Sequence, residues 1–148
     1  MIVKVKKFND DAVIPSYAKP GDAGMDLTAT SMWLDEYGNI CYGTGLGFEI
    51  PEGYAGFVFA RSSIFKIVLF LTNGVGIVDS GYRGEVTLKF KPTFLFRWLK
   101  PLFKKYIYKV GDRVGQLVIM PYPTIEFEEV KSLTATARGA NGYGSTGR

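Results

Sequence analysis

The stretch EVTLKFK, residues 85–91, alternates polar and apolar side chains without a break, the pattern of a β-strand with one buried face. Working outward, similar short strands are predicted at GFVFA (56–60), QLVIM (116–120), TIEFEEV (124–130) and IVKVK (2–6). Turn signals separate them: KPGDAG, PEGY, DSGYRG and VGD. The 18 glycines suit many tight turns better than many helices. Short strands at regular spacing predict an all-β sandwich or jelly-roll barrel. The segment SSIFKIVLFL (62–71) reads either as a buried strand or as a short helix, and periodicity does not choose between them. At most one short helix is therefore expected.

The 148 residues make one domain, large enough for its own core and small enough to gain from oligomerisation. No apolar run is long enough to cross a bilayer, and MIVKVKKFNDD at the N-terminus lacks the apolar stretch of a signal peptide. The single cysteine, Cys41, cannot form an internal disulfide, so a cytoplasmic setting is expected. The composition contains no histidine. Ser-His-Asp and Cys-His nucleophilic machinery is thereby excluded, and so are the usual His/Cys zinc sites. Hydrolytic chemistry in this chain has to rest on carboxylates, on a hard cation such as Mg²⁺, or on Lys and Tyr. The net charge of +4 suits phosphate-bearing ligands but is equally common in proteins that bind none.

Five segments stand out in order: DAGMDLTA (22–29), ARSS (60–63), NGVGIVDSGYRG (73–84), GDRVGQL (111–117) and RGANGYGSTG (138–147). Asp79 ends the apolar run GIV just before a tight turn, where a carboxylate is held rigidly and partly desolvated, as a general base requires. Taken alone, Asp79 is equally a turn cap. Arg61, Ser62 and Ser63 combine an Arg fork with hydroxyls, a natural anion site, although Arg61 alone is equally a surface charge. The C-terminal segment has no Lys followed by Ser or Thr after a strand, so it is not a Walker A phosphate loop.

In this order and spacing, the five segments resemble the five motifs of the trimeric dUTPase family, from about Lys19 to the C-terminus. The resemblance implies a distorted jelly-roll or β-clip barrel over residues 1–137 and a flexible C-terminal arm, 138–148, that closes the active site. It implies hydrolysis of dUTP to dUMP and pyrophosphate, with Mg²⁺ chelated by the triphosphate and Asp79 accepting a proton from the attacking water. Tyr82 would lie against the deoxyribose and reject ribonucleotides. Uracil would be read around Asn73, Gly76, Ile77, Val78 and, across the hairpin, Thr87. Arg61, Ser62, Ser63 and Gln116 would face the phosphates, and Asp26 would hold hydrated Mg²⁺, directly or through water. In the arm, Arg138 would pair with a terminal phosphate, Tyr143 would stack on uracil, and Ser145 and Thr146 would bind the γ-phosphate. The family pattern also implies a homotrimer with active sites shared between subunits, and no membrane association.

Three positions depart from that pattern: Ser63 where Gly is usual, Asn141 where Gly is common, and Tyr143 where Phe is commoner. Between YRG and GDR the chain also carries an insert, about residues 92–108, rich in aromatics, leucines and lysines. It reads either as an elongated hairpin packed on the barrel or as a patch that meets a partner protein, nucleic acid or a membrane surface. Such inserts occur in phage-like dUTPases, which makes a phage or prophage source, and hence host cytoplasm, one reading. Two rival functions follow from the same residues. The dCTP deaminase branch of the fold needs a catalytic Glu on the strand after the GYRG turn, and here that position is Lys89. A regulatory protein keeping the dUTPase shell and acting through its insert or arm is the alternative from a different class; retention of Asp79, Tyr82 and the arm favours an enzyme.

Overall fold

The computed structural model describes residues 1–93 and 106–142. Ten strands are present among them: β1 (Lys4–Lys7), β2 (Met25–Thr28), β3 (Ser31–Leu34), β4 (Ile40–Gly43), β5 (Leu46–Glu49), β6 (Tyr54–Phe59), β7 (Leu69–Leu71), β8 (Val75–Val78), β9 (Thr87–Pro92) and β10 (Arg113–Pro121). One 3₁₀ turn, Ser62–Lys66, lies between β6 and β7. All pairings are antiparallel, in two four-stranded sheets ordered β2-β10-β6-β8 and β3-β4-β9-β7, with a two-stranded β1-β5 ribbon beside them. The all-β expectation with one short helical turn is met.

The β9 alternation works as its sequence predicts. Leu88 and Phe90 are buried, while Lys89 and Lys91 are exposed. A single apolar cluster joins both sheets and the ribbon, with Leu27 from β2, Val58 from β6, Leu117 from β10, Tyr42 from β4, Phe90 from β9 and Leu46 from β5. At its centre Tyr42, Phe90 and Tyr108 meet edge to face, with ring centroids 5.7–5.9 Å apart. Each such pair contributes roughly 0.5–1.5 kcal/mol beyond the area it buries. The Tyr42 hydroxyl donates to the Tyr108 carbonyl at 2.9 Å, so this ring enters the core without an unmet polar group.

Two expectations are revised. SSIFKIVLFL is both of its alternatives in sequence: a 3₁₀ turn over Ser62–Lys66, then β7. TIEFEEV (124–130) is not a strand but an exposed, extended run. Tyr122 still donates to the Gly53 carbonyl at 2.9 Å, but beyond it no strand pairs with this run among the described residues. Period-2 patterning cannot make a strand without a partner, and Ile125, Phe127, Val130 and Leu133 are left 50–89% exposed. Most of the 92–108 insert, residues 94–105, lies outside the described residues, as do Tyr143, Ser145 and Thr146 of the arm.

Candidate active site

The connection from β8 to β9 builds a cleft of about 270 Å³ lined by Asn73, Gly76, Ile77, Val78, Asp79, Tyr82 and Thr87, among others. The two strands lie in different sheets and do not pair, so Thr87 faces the cleft from the second sheet and not across a hairpin as expected. These are seven of the residues singled out in the sequence, brought together by one turn. β8 is an edge strand: it pairs with β6 on one side, Gly56 opposite Val78 and Val58 opposite Gly76, and with no strand on the other among the described residues. Alternate backbone N–H and C=O groups on that outer side are thus free to meet a planar hydrogen-bonding ligand. Gly76 keeps the strand surface low here. A Cβ on it would lie 3.3 Å from Asn73 Nδ2 and 3.3 Å from Val58 Cβ.

The turn that carries Asp79 is fastened from within. The Tyr82 N–H donates to the Asp79 carbonyl at 3.1 Å, and the Arg83 guanidinium donates to the carbonyls of Ser80 at 2.5 Å and Tyr82 at 2.9 Å. Tyr82 is half-exposed, and its hydroxyl donates to the Glu85 carbonyl at 3.0 Å, so the ring stands fixed as one wall of the cleft. Gly84 is required beneath it, because a Cβ at that position would overlap the ring. The Glu85 carboxylate in turn accepts from the Gly45 N–H at 2.6 Å, tying the turn to the β4–β5 loop. The rigidity expected for Asp79 is present. The partial desolvation is not: in the single chain Asp79 is exposed, and its carboxylate accepts no hydrogen bond among the described residues. It is therefore not a side-chain cap of its own turn.

A second cluster gathers Asp26, Arg61, Ser63 and Gln116. Arg61 grips Asp26 with two hydrogen bonds, Nε to Oδ1 at 2.8 Å and Nη2 to Oδ2 at 3.2 Å, and its Nη1 donates to Ser63 Oγ at 3.4 Å. Both charged side chains are about four-fifths buried. Arg113, which sequence reasoning did not single out although it lies in GDRVGQL, reaches the same carboxylate at 3.0 Å. The means is an irregularity in β10 between Arg113 and Gly115, which puts Arg113 and Gln116 on the face of Asp26 despite their odd spacing. Glycine is demanded at 115, where a Cβ would strike Leu88 and approach the Phe59 carbonyl oxygen to 3.0 Å. Ser62 is exposed at the start of the 3₁₀ turn. Beside this cluster a cleft of about 290 Å³ is lined by Arg61, Ser63, Lys66, Tyr108, Asp112 and Arg113, with Ile67.

No residue lines both clefts. Within one chain the carboxylate expected to activate water and the arginine expected to bind phosphate thus belong to different sites. The described part of the arm does not bridge them: Arg138 is exposed and donates only to the Asn141 carbonyl at 3.1 Å. For Mg²⁺ the donor set is poor. Among the described residues no three His, Cys, Asp or Glu side chains are placed to hold a metal, and both Asp26 oxygens are taken by arginines. These residues do not fit a Mg²⁺ ion coordinated directly by the protein. Lys89 faces away from the cleft between β8 and β9 and pairs with Asp35 at 3.1 Å, so neither its charge nor its direction suits a catalytic acid there.

Comparison with known proteins agrees with this geometry. The family model described as dUTPase matches residues 10–147. A deoxyuridine 5'-triphosphate nucleotidohydrolase of Anaplasma marginale is 38% identical over 138 residues, 90% of this chain and 88% of that protein. One from Desulfitobacterium hafniense is 41% identical over 142 residues, 90% of this chain and 87% of its own length. Among solved structures, a Staphylococcus bacteriophage 80alpha dUTPase with dUPNHPP superposes with a TM-score of 0.82 at 26% identity, covering 99% of both chains. The chain belongs to the dUTPase family.

Proposed function

We propose that the chain hydrolyses dUTP to dUMP and pyrophosphate, and that the cleft between β8 and β9 is where the deoxyuridine sits. The observation that carries this reading is the coincidence, in one cleft, of an outward-facing edge strand, a tyrosine wall and a carboxylate at the rim that accepts no hydrogen bond among the described residues. Uracil presents a carbonyl and an N–H side by side, which complements successive C=O and N–H groups of β8 around Gly76, Ile77 and Val78. Cytosine reverses that order and leaves buried groups unpaired, at about 1–3 kcal/mol each. The thymine methyl is excluded by shape, with Asn73 and Thr87 closing the sides. The Tyr82 ring against the sugar leaves a 2′-hydroxyl without solvation.

Asp79 then takes a proton from the water that attacks the α-phosphorus. The phosphorus–oxygen bond to the β-phosphate breaks, and pyrophosphate leaves with the electron pair. Its carboxylate is unengaged, which is the state a base needs. Mg²⁺ enters as part of the substrate, chelated by the triphosphate. The role of Asp26 in the chain is to hold Arg61 and Arg113, which with Ser62, Ser63 and Gln116 form the phosphate side. The arm, with Arg138, Tyr143, Ser145 and Thr146, completes the site by covering the bound nucleotide and excluding water.

A homotrimer is the assembly that unites these parts. The two clefts share no lining residue, and an assembly in which one subunit supplies Asp79 and another Arg61 lets both act on one nucleotide. The exposed apolar residues of 125–133 point the same way, because an extended run with Phe127 at 89% exposure needs a neighbour to cover it. No helix among the described residues is long and apolar enough to cross a membrane.

The test is pyrophosphate release from dUTP, dCTP, dTTP and UTP with Mg²⁺. Release from dUTP alone is expected. Equal release from UTP would remove Tyr82 from its role, and ammonia from dCTP would replace hydrolysis by deamination.

A further inference from the structure

Tyr108 carries a buried hydroxyl that no part of the mechanism above uses. It is 5% exposed, and among the described residues its hydroxyl has no hydrogen-bond partner. The ring is fixed on two sides by its edge-to-face contacts with Tyr42 and Phe90. The following turn is fixed by the Lys109 N–H donating to Asp112 Oδ2 at 2.7 Å. A phenylalanine would fill the same space without leaving a donor unmet, so the oxygen is a cost to the resting fold that packing does not explain. It stands in the wall of the cleft that Arg61, Ser63, Lys66 and Arg113 also line. Burial pushes its pKa up, Arg61 pulls it the other way, and Asp112 and Asp26 add to the rise.

That pair poses a problem for phosphate binding. Arg61 spends Nε and Nη2 on Asp26 in the free chain. If the guanidinium turns to a triphosphate, a carboxylate only 20% exposed loses two hydrogen bonds and keeps Arg113 alone. A largely buried carboxylate stripped of donors is strongly disfavoured. Resting on the reading of Arg61 as a phosphate-binding residue, we propose that Tyr108 is a positioning residue of that subsite. Its hydroxyl supplies Asp26 with the hydrogen bond that Arg61 gives up on turning to the nucleotide. The unmet donor of the free state thus becomes a met one in the bound state, and the exchange lowers the cost of recruiting Arg61.

The test compares the full-length protein with Tyr108→Phe and Arg61→Lys, reading KM and kcat for dUTP, inhibition by dUMP, and the melting temperature. Loss of a hydrogen bond to a charged group made only in the bound state is expected to raise KM about tenfold in Y108F, with kcat little changed. Inhibition by dUMP should be unaltered, because dUMP lacks the β- and γ-phosphates, and the melting temperature should not fall. A KM equal to wild type overturns the proposal. A loss of dUMP binding in step with dUTP, or a lowered melting temperature, overturns it too, because core packing would then be the cause. If Y108F does not refold, Tyr108→Met removes the same hydroxyl and is read in the same way. An unchanged KM in R61K would sink the phosphate reading itself; an impaired R61K beside an unaltered Y108F would sink only the role of Tyr108.

Discussion

Adding one methyl group at Gly76 separates the folding role of β8 from its binding role. The backbone at Gly76 is not in the left-handed region, so alanine is conformationally allowed there. Its Cβ would sit 3.3 Å from both Asn73 Nδ2 and Val58 Cβ, so its neighbours must yield by a few tenths of an ångström. Crowding of this kind costs about 1 kcal/mol. Restricting the unfolded chain returns roughly 0.4–1 kcal/mol. The two nearly cancel, and the melting temperature should move by no more than about 4 °C. Binding has no such compensation. The methyl stands in a cleft of about 270 Å³ between two of its lining residues. A misfit of one methyl in a pocket is worth about 1–3 kcal/mol, or roughly 10–200-fold in kcat/KM for dUTP. The assay is steady-state pyrophosphate release by Gly76→Ala, with a thermal melt of the same sample. A kcat/KM equal to wild type in a protein of unchanged melting temperature would refute the placement of the base against β8.

Further outcomes follow from the same geometry. If Asp79 and Arg61 serve one site from different subunits, mixing the inactive variants Asp79→Asn and Arg61→Ala and allowing subunits to exchange should restore part of the activity; strictly additive inactivity would place both residues in one chain's site. Above pH 3.8, ionised Asp35 should stabilise the fold, and the contribution should be lost on acidification. The Asn39 side chain, the Asn39 and Tyr37 N–H groups and the Lys89 ammonium hold its carboxyl well below the usual carboxylate range. A depressed folded-state pKa contributes stability above the unfolded value of 3.8 and loses it as pH falls through the lower folded value. The melting temperature of Asp35→Asn should therefore fall less steeply below pH 3.8 than that of wild type, and parallel slopes would contradict the assignment.

Legibility in the sequence followed the range of the forces involved. The β9 strand was legible because its alternation is a one-chain property: Leu88 and Phe90 go in, Lys89 and Lys91 go out. The Asp79–Tyr82 turn was legible because a tight turn fixes its own geometry, whereas the hairpin expected around it is absent because β8 and β9 join different sheets. β4 and β5 were not predicted, since ICYG is buried throughout and LGFE everywhere but Glu49, and strands covered on both faces lose their alternation. The strand expected at 124–130 failed for the opposite reason, as its pattern was present but no partner strand lies beside it among the described residues. Arg113 escaped notice because an irregularity in β10 changes which face it takes, and no spacing rule anticipates that. Tyr108 carried no signal at all, being one aromatic residue in an aromatic stretch until the fold brought it to the wall of the cleft that Arg61 also lines.

The most direct test of the account is pyrophosphate release from dUTP by Asp79→Asn beside wild type, with dUMP binding measured on both. The amide keeps the shape and the turn but cannot take a proton at neutral pH. The account predicts that hydrolysis is abolished while dUMP binds as before. Hydrolysis at a wild-type rate in D79N would show that another group activates the water, and the catalytic assignment would fall.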